Sequence, residues 1–317
     1  MGPILQRCSF ASRTLGNARF RHRPPKIPRV ETQVGLANLY SRVPFAANKS
    51  YLVPVSDRPE LDARMIPTPD LTDRVALVTG ASRGIGYHIA KQMAAAGAHV
   101  VAVARTVGGL EELDDEIKAE NARTGKGEAT LVPLDLTDMA GIDRLGGAIH
   151  ERWKKLDILV ANAGILGVIA PIGHVEAKVF EKVMAVNVTA TWRLIRSVDP
   201  LLRLSDAGRA IIMSSGAAHS ANAFWAPYAA SKAAVEALAR SWADETKNLP
   251  LRINCVNPGG TRTAMRAQAF PGENPETLPT PAEIAARIIP LASPSLTETG
   301  LRYEARQERF VTYRMPE

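Results

Sequence analysis

Val75-Ala76-Leu77-Val78-Thr79-Gly80-Ala81-Ser82-Arg83-Gly84-Ile85-Gly86 is the stretch whose reading decides the fold. A short apolar run passes straight into three glycines in a GxxxGxG spacing, and an alanine-rich segment of helical spacing follows over residues 85–96. Strand, glycine turn and helix in that order form the phosphate-binding start of a βαβ unit. Gly80 permits the sharp turn out of the strand. Gly84 lets a pyrophosphate approach backbone N–H groups, and Gly86 lets the helix lie close to the strand. The helix N-terminus then faces the anion. A glycine-rich string alone would equally describe a loop that binds nothing. Its place between a strand and a helix favours dinucleotide binding, with Ser82, Arg83 and Ile85 completing the turn.

The same alternation runs through the rest of the chain. Apolar runs at 99–103, 129–134, 158–160, 210–213 and 253–256 are separated by stretches of helical spacing, a charged one through Asn121 and others over 139–155, 174–203 and 228–247. Strands alternating with helices of this length argue for a parallel sheet. Strands buried on both faces read as continuous apolar runs, and these do. The expectation is an α/β fold, a single doubly wound parallel sheet of the Rossmann type with helices on both faces, over residues 65–317.

Residues 1–64 have a different texture. The chain holds 39 Lys and Arg against 32 Asp and Glu, a net charge of +7, and this whole excess lies in 1–64, which hold 11 basic and 4 acidic residues. Pro24, Pro25, Pro28, Pro44, Pro54 and Pro59 break any period, and no acid precedes Glu31. This is the composition of a disordered or cleaved leader. One explanation is a mitochondrial-type transit segment, which would place the protein in the matrix. The favoured one is an upstream extension from a misplaced start, with Met65 the true beginning and a cytoplasmic protein. Because 65–317 is charge-balanced, no nucleic-acid partner is expected. Cys8 and Cys255 lie too far apart for a disulfide framework or a cysteine-rich metal site. The longest uncharged run, 158–175, contains Asn162, three glycines, Pro171 and His174, so no membrane span is expected.

Two local patterns carry chemistry. An NAD-type site places an acid at the end of the second strand to bond the ribose 2′-OH. Ala104 stands there, with Arg105 and Arg83 nearby. Two guanidinium groups suit a 2′-phosphate, so NADP(H) is preferred and NAD(H) is allowed. Farther on, Tyr228-Ala229-Ala230-Ser231-Lys232 opens a helical stretch behind Pro227. Residues four apart share a helix face. A lysine cation beside a tyrosine hydroxyl favours the phenolate and lowers its pKa from about 10. Tyr228 is thereby a candidate proton donor to a carbonyl, or acceptor from an alcohol.

With these motifs in this order, the chain resembles the short-chain dehydrogenase/reductase superfamily, of the 3-oxoacyl-carrier-protein reductase type, over residues 70–300. Asp135-Leu136 is similar to the family's adenine-contacting pair. Asn162-Ala163-Gly164 resembles its motif after the fourth strand, although Ala161 stands where the first Asn is usual. Asn187, in Val186-Asn187-Val188, resembles the structural and relay asparagine. Pro258-Gly259 follows the sixth strand, with Thr261 beyond it and Thr263 placed to contact the nicotinamide carboxamide. The family's catalytic serine stands 13 residues before the tyrosine, which selects Ser215, with its neighbour Ser214 as understudy.

The resemblance implies direct hydride transfer between nicotinamide and a carbonyl or secondary alcohol, without a metal. Tyr228 would act as general acid/base and Ser215 would hold the substrate oxygen. Lys232 would tune the tyrosine and bond the nicotinamide ribose, and Asn187 would hold a water linking Lys232 to solvent. The partners implied are a small-molecule carbonyl or alcohol and further copies of the chain, as a homodimer or homotetramer. A catalytically silent dinucleotide sensor on the same fold is the alternative, disfavoured by the intact Ser215, Tyr228 and Lys232. His174 and His219 read as solvated loop residues, and Trp192, Trp225 and Trp242 as packing residues. Phe224-Trp225 is a candidate wall of an apolar substrate pocket, and residues 264–281 a mobile lid. The segment 300–317 lacks the family's Gly-Gly ending.

Overall fold

Six of the apolar runs do become strands of one sheet. A computed structural model describes residues 66–313, so the expectations for the leader lie outside the described residues. β1 (Val75–Thr79), β2 (His99–Ala104), β3 (Glu128–Pro133), β4 (Ile158–Ala161), β5 (Gly208–Met213) and β6 (Leu251–Asn257) are joined by β7 (Arg302–Glu304) and β8 (Arg309–Val311). The sheet order is β3-β2-β1-β4-β5-β6-β7-β8. All pairings are parallel except the last, where β8 returns antiparallel along β7.

The side-chain alternation explains why both faces must be covered. Ala76 and Val78 of β1 face one core with Ile89, Met93, Leu110 and Ile284. Val75 and Leu77 face the other with Ile142, Ile149, Leu194 and Trp242. The first core is roofed by helices α1 (Gly84–Ala95) and α2 (Val107–Thr124) and by α9 (Pro281–Ile288). The second is roofed by α3 (Met139–Trp153), α5 (Ala190–Leu202) and α7 (Ala226–Glu245). A strand buried on both sides has no polar face to display.

Three elements depart from the sequence expectation. The helical stretch expected over 174–203 is two helices, α4 (Ala177–Met184) and α5, joined through one wide π turn over Ala185–Thr189. That turn carries Asn187, whose side chain bonds a neighbouring loop, as described below. β7 and β8 lay in a segment where no strand was expected, since each is three residues long and half polar. The segment expected as a mobile lid contains α8 (Ala264–Ala269) and a 3₁₀ turn, Pro275–Thr277. Within it, Arg266 pairs with Glu273 at 2.6 Å, and Arg262 just before it pairs with Glu276 at 3.0 Å; these pairs brace the segment internally and leave its movement as a lid an expectation.

The order of the sheet fixes where a ligand can lie. The order of strand addition reverses at β1 and β4: from β1 the chain adds β2 and β3 on one side, and β4 and the later strands are laid down on the other. The carboxyl ends of the strands at such a switch point leave a crevice. Both the glycine turn after β1 and the Asn162 loop after β4 open there.

Candidate active site

At the switch point, Thr79 ties the two halves together. Its Oγ1 accepts from the backbone N–H of Asn162 at 3.0 Å and of Ala163 at 3.1 Å, and donates to the Val160 carbonyl at 3.3 Å. The Asn162 amide donates to the Thr79 carbonyl at 3.0 Å and the Gly80 carbonyl at 3.4 Å. Asn162 therefore clamps the glycine turn from behind. Gly164, two residues on, lies where a Cβ would meet Asn187 Oδ1 at 3.3 Å and Lys232 Nζ at 3.6 Å.

The turn itself is shaped for an anion. Arg83 precedes α1 in extended conformation, and no side chain caps this helix N-terminus. At Gly84, which has φ +62°, a Cβ would meet only the Thr263 methyl, at 3.8 Å. The first N–H groups of α1 are thus left without a side-chain cap beside an open space, as a bound diphosphate requires. Arg83 and Arg105 are exposed. Arg105 reaches Asp135 at 3.8 Å, while Asp135 accepts from the Thr137 N–H and hydroxyl at 2.9 and 2.8 Å. Those bonds from Thr137, with a smaller share from Arg105, hold the Asp135 carboxyl below the usual carboxylate range. Leu136 packs against the core beside it.

The opposite wall comes from the loops after β5 and β6. Ser215, Tyr228, Pro258, Gly259, Thr261, Thr263 and Ile85 line one cleft of about 290 Å³. Tyr228 sits in the first turn of α7, which Pro227 opens. Its phenol is pushed up by burial, and a hydrogen bond from Ser215 lowers it in part. Lys232 is buried one turn on, its Nζ 5.7 Å from the Tyr228 ring centroid and donating to the Met213 carbonyl at 2.7 Å. Burial brings the Lys232 ammonium down to about 8. The expected depression of the tyrosine by the lysine is not what this arrangement gives. The ammonium is engaged with Met213, and burial of the phenol dominates.

The two candidate serines differ in their surroundings. Ser214 is buried and donates to Glu236 Oε1 at 2.6 Å, whereas Ser215 faces the cleft. Asn187 bonds on three sides: its Oδ1 accepts from the Ile165 N–H at 2.8 Å, and its Nδ2 donates to the Ile165 carbonyl and to Ser231 Oγ, each at 2.9 Å. The five-residue spacing of the π turn aims this side chain at the loop instead of along the helix, a common use of such bulges. Thr263 caps α8, accepting from the Arg266 N–H at 3.2 Å, and Thr261 donates to the Gly259 carbonyl at 3.4 Å.

Several residues here escaped the sequence reading. Asn257 accepts from the Gly216 and Gly259 N–H groups at 2.9 and 3.1 Å and so joins the Ser215 loop to the Pro258 loop. Its neighbour in the sequence, Pro258, was the only signal. Leu166, Met265, Ala269 and Phe270 make the far wall apolar, and Trp225 stands 5.6 Å from Phe270 and 6.1 Å from Tyr228. Phe224 lines a separate outer groove with Ile172, not this cleft. Trp242 packs as expected, donating to Asp199 at 2.7 Å, but Trp192 is 44% exposed. His219 is no isolated loop histidine, since its Nε2 lies 2.7 Å from the Glu236 carboxylate. Among the described residues no cluster of metal ligands and no helix long and apolar enough to cross a membrane is found.

Comparison with known proteins points the same way as this geometry. The Escherichia coli oxidoreductase YciK is 39% identical over 240 residues, covering 75% of this chain and 94% of its own. A short chain dehydrogenase from Shigella flexneri, solved in complex with NADP, superposes with a TM-score of 0.70 at 39% identity, covering 76% of this chain and all of its own. One from another Escherichia coli strain, complexed with NADPH, gives 0.71 at 40% identity over 76% and 99% of the two chains. The family model for short chain dehydrogenase matches residues 74–274. A glycine turn, a switch-point crevice and this match together place the chain in the short-chain dehydrogenase family of NAD(P)-dependent oxidoreductases.

Proposed function

We propose that the protein is an NADP(H)-dependent reductase or dehydrogenase that moves a hydride between nicotinamide and a carbonyl or secondary alcohol, with Tyr228 as general acid/base. The observation that carries this reading is the convergence of Ser215 and Tyr228 on one cleft that is continuous with the glycine turn. The uncapped N-terminus of α1 and the space beside Gly84 fit a diphosphate. When bound, the nicotinamide cofactor supplies or accepts the hydride. Ser215 and Tyr228 both hydrogen-bond the substrate oxygen, and Tyr228 passes the proton. Lys232 holds a positive charge behind the phenol and is the group placed to reach the nicotinamide ribose. Asn187 staples the Ile165 loop to α7 beside Lys232, where the relay water implied by the resemblance would be held. Ile85, Ala163, Gly164, Pro258, Gly259, Thr261 and Thr263 complete the cofactor wall. Leu166, Trp225, Met265 and Phe270 favour a carbonyl flanked by apolar groups over a highly charged one. A panel of aliphatic, aromatic and polar carbonyls with NADPH and NADH, followed by nicotinamide absorbance, tests this; turnover of none overturns it.

The cofactor preference rests on Arg83 and Arg105, which border the glycine turn with no acid at Ala104. The Shigella and Escherichia coli relatives solved with NADP and NADPH support the same choice. Loss of a charge-assisted bond to a 2′-phosphate costs about 1.5–3 kcal/mol. Arg83→Ala combined with Arg105→Ala is therefore expected to raise the KM for NADPH by at least about 10–100-fold and leave that for NADH nearly unchanged. A wild-type enzyme that prefers NADH, or a double variant that loses both cofactors alike, refutes the assignment. The homo-oligomer belongs to the same reading, because Phe180 on α4 and Trp192 on α5 are 42% and 44% exposed and offer an apolar face to a second copy. The mass of the native protein in solution tests it.

A further inference from the structure

Behind Tyr228 and Lys232 lies a third ionisable residue that hydride transfer as described does not use. Glu236 stands one turn beyond Lys232 on α7, so Tyr228, Lys232 and Glu236 follow one another at intervals of four along one helix face. It is only 3% exposed, and a carboxyl is rarely buried so deeply without partners. Two hold it: Ser214 Oγ donates to Oε1 at 2.6 Å, and His219 Nε2 lies 2.7 Å from Oε2. Ser214 directly follows β5 and His219 lies in the short helix α6 (Ala217–Ser220) just beyond Ser215, so the clamp fastens α7 to the segment after β5 behind the cleft. A buried carboxyl held by its hydrogen-bond partners adds little net stability over well-packed apolar side chains. Stability alone therefore gives no reason for a carboxylate here. The neighbouring buried cation does.

Lys232 is 5% exposed, and the one bond its Nζ donates in this structure goes to a neutral carbonyl, that of Met213. Burial disfavours the ammonium, while the charges of Cys255 and Glu236 act the other way. Cys255 is itself buried, and its thiol is pushed up to about 12. It stays neutral across the working range, which leaves Glu236 as the anion acting on Lys232.

We propose that Glu236 is a positioning residue: its buried carboxylate, clamped by Ser214 and His219 one helical turn beyond Lys232, favours the protonated ammonium behind Tyr228. This rests on the reading that Tyr228 and Lys232 carry the proton chemistry. The groups facing the pair are Tyr228 on the same helix, Ser214 and His219 after β5, and Cys255 on β6. Asn187 lies on the π turn, and Tyr313 follows β8 with Arg240 and Arg302 against its ring. Removing the Glu236 charge lowers the pH at which Lys232 loses its proton. It also biases the once-deprotonated pair away from phenolate plus ammonium, towards phenol plus neutral amine.

The test uses the full-length protein labelled isotopically at lysine Cε. In the wild type, one lysine resonance is expected to titrate near 8 and to be missing in Lys232→Met. In Glu236→Gln, which keeps the size and the Ser214 bond, that resonance is expected to titrate about one pH unit lower. The alkaline limb of NADPH-dependent carbonyl reduction moves down with it. Glu236→Asp keeps the charge but withdraws it by one methylene, and shifts both readouts in the same direction by less. A purely structural side chain would lower stability and leave the titration in place. A Lys232 resonance at the wild-type pH in Glu236→Gln, or in Glu236→Asp if the glutamine variant does not fold, overturns the proposal. Should the wild type turn over no carbonyl, the hydride-transfer reading fails, while the lysine titration still decides the role of Glu236.

Discussion

Tyr228→Phe is expected to cut turnover by about 10²–10⁴-fold, the usual contribution of a positioned general acid or base. NADPH affinity is expected to stay within a factor of about two, because the change removes one oxygen from the substrate side of the cleft. The ring is held from both sides, with Trp225 at 6.1 Å and the Lys232 Nζ at 5.7 Å, so the phenylalanine ring has no reason to move. The hydroxyl's neighbour, Ser215, keeps a bond from the Ala217 N–H at 3.2 Å, so no buried polar atom is orphaned. Burial, which raises the phenol, keeps Tyr228 protonated at neutral pH and ready to donate to a carbonyl. The reverse reaction needs the phenolate and should therefore accelerate as the pH rises. Turnover and cofactor titration of the same variant separate the two readings of this fold. A silent sensor would lose nothing with the hydroxyl, whereas a reductase loses nearly all its rate and keeps its cofactor.

How much of this was legible depended on the reach of each interaction. The glycine turn, the alternating apolar runs and the Tyr228–Lys232 spacing are local patterns, and all of them fell where the sequence placed them. The π turn at Asn187 was not legible, because the asparagine's partner is the backbone of a separate loop, at Ile165. The same is true of Glu236, which has an unremarkable helical context and takes its meaning from His219 and Ser214 across a tertiary contact. Asn257 joins two loops that approach only once β5 and β6 have paired. β7 and β8 failed for another reason. Strands of three residues at the sheet edge need little apolar content, and Arg302-Tyr303-Glu304 has a single apolar residue, Tyr303, to bury. The sign of the lysine's effect on Tyr228 was a matter of magnitude. Spacing shows that two groups share a face, but not that burial outweighs their charge interaction.

Two alanine substitutions in the glycine turn should fail in different ways, and the difference reports directly on what the turn does. At Gly86 a methyl group would fall inside contact distance of both the Asn162 amide and the Gly80 carbonyl. Both are fixed: Asn162 is bonded to Thr79, and Gly80 donates its N–H to the Val103 carbonyl at 2.8 Å. With nothing flexible to give way, α1 must lift from β1, and Gly86→Ala should cost about 3 kcal/mol of stability. A large drop in the unfolding midpoint without cofactor follows, and cofactor affinity falls as a consequence. At Gly84 the added methyl meets only the Thr263 methyl at 3.8 Å, so the protein has room for it. The cost to folding is the left-handed backbone at φ +62°, about 1–2 kcal/mol. The methyl, however, stands beside the uncapped N–H groups where a diphosphate would lie. Gly84→Ala should thus weaken NADPH binding by at least about 10-fold, more than its modest loss of stability explains. Urea unfolding of the cofactor-free variants together with fluorescence titration of NADPH measures both axes. A Gly84→Ala variant with wild-type affinity would mean that no anion sits on this turn, and a Gly86→Ala variant of wild-type stability would mean that α1 and β1 are not packed as closely as the glycine implies.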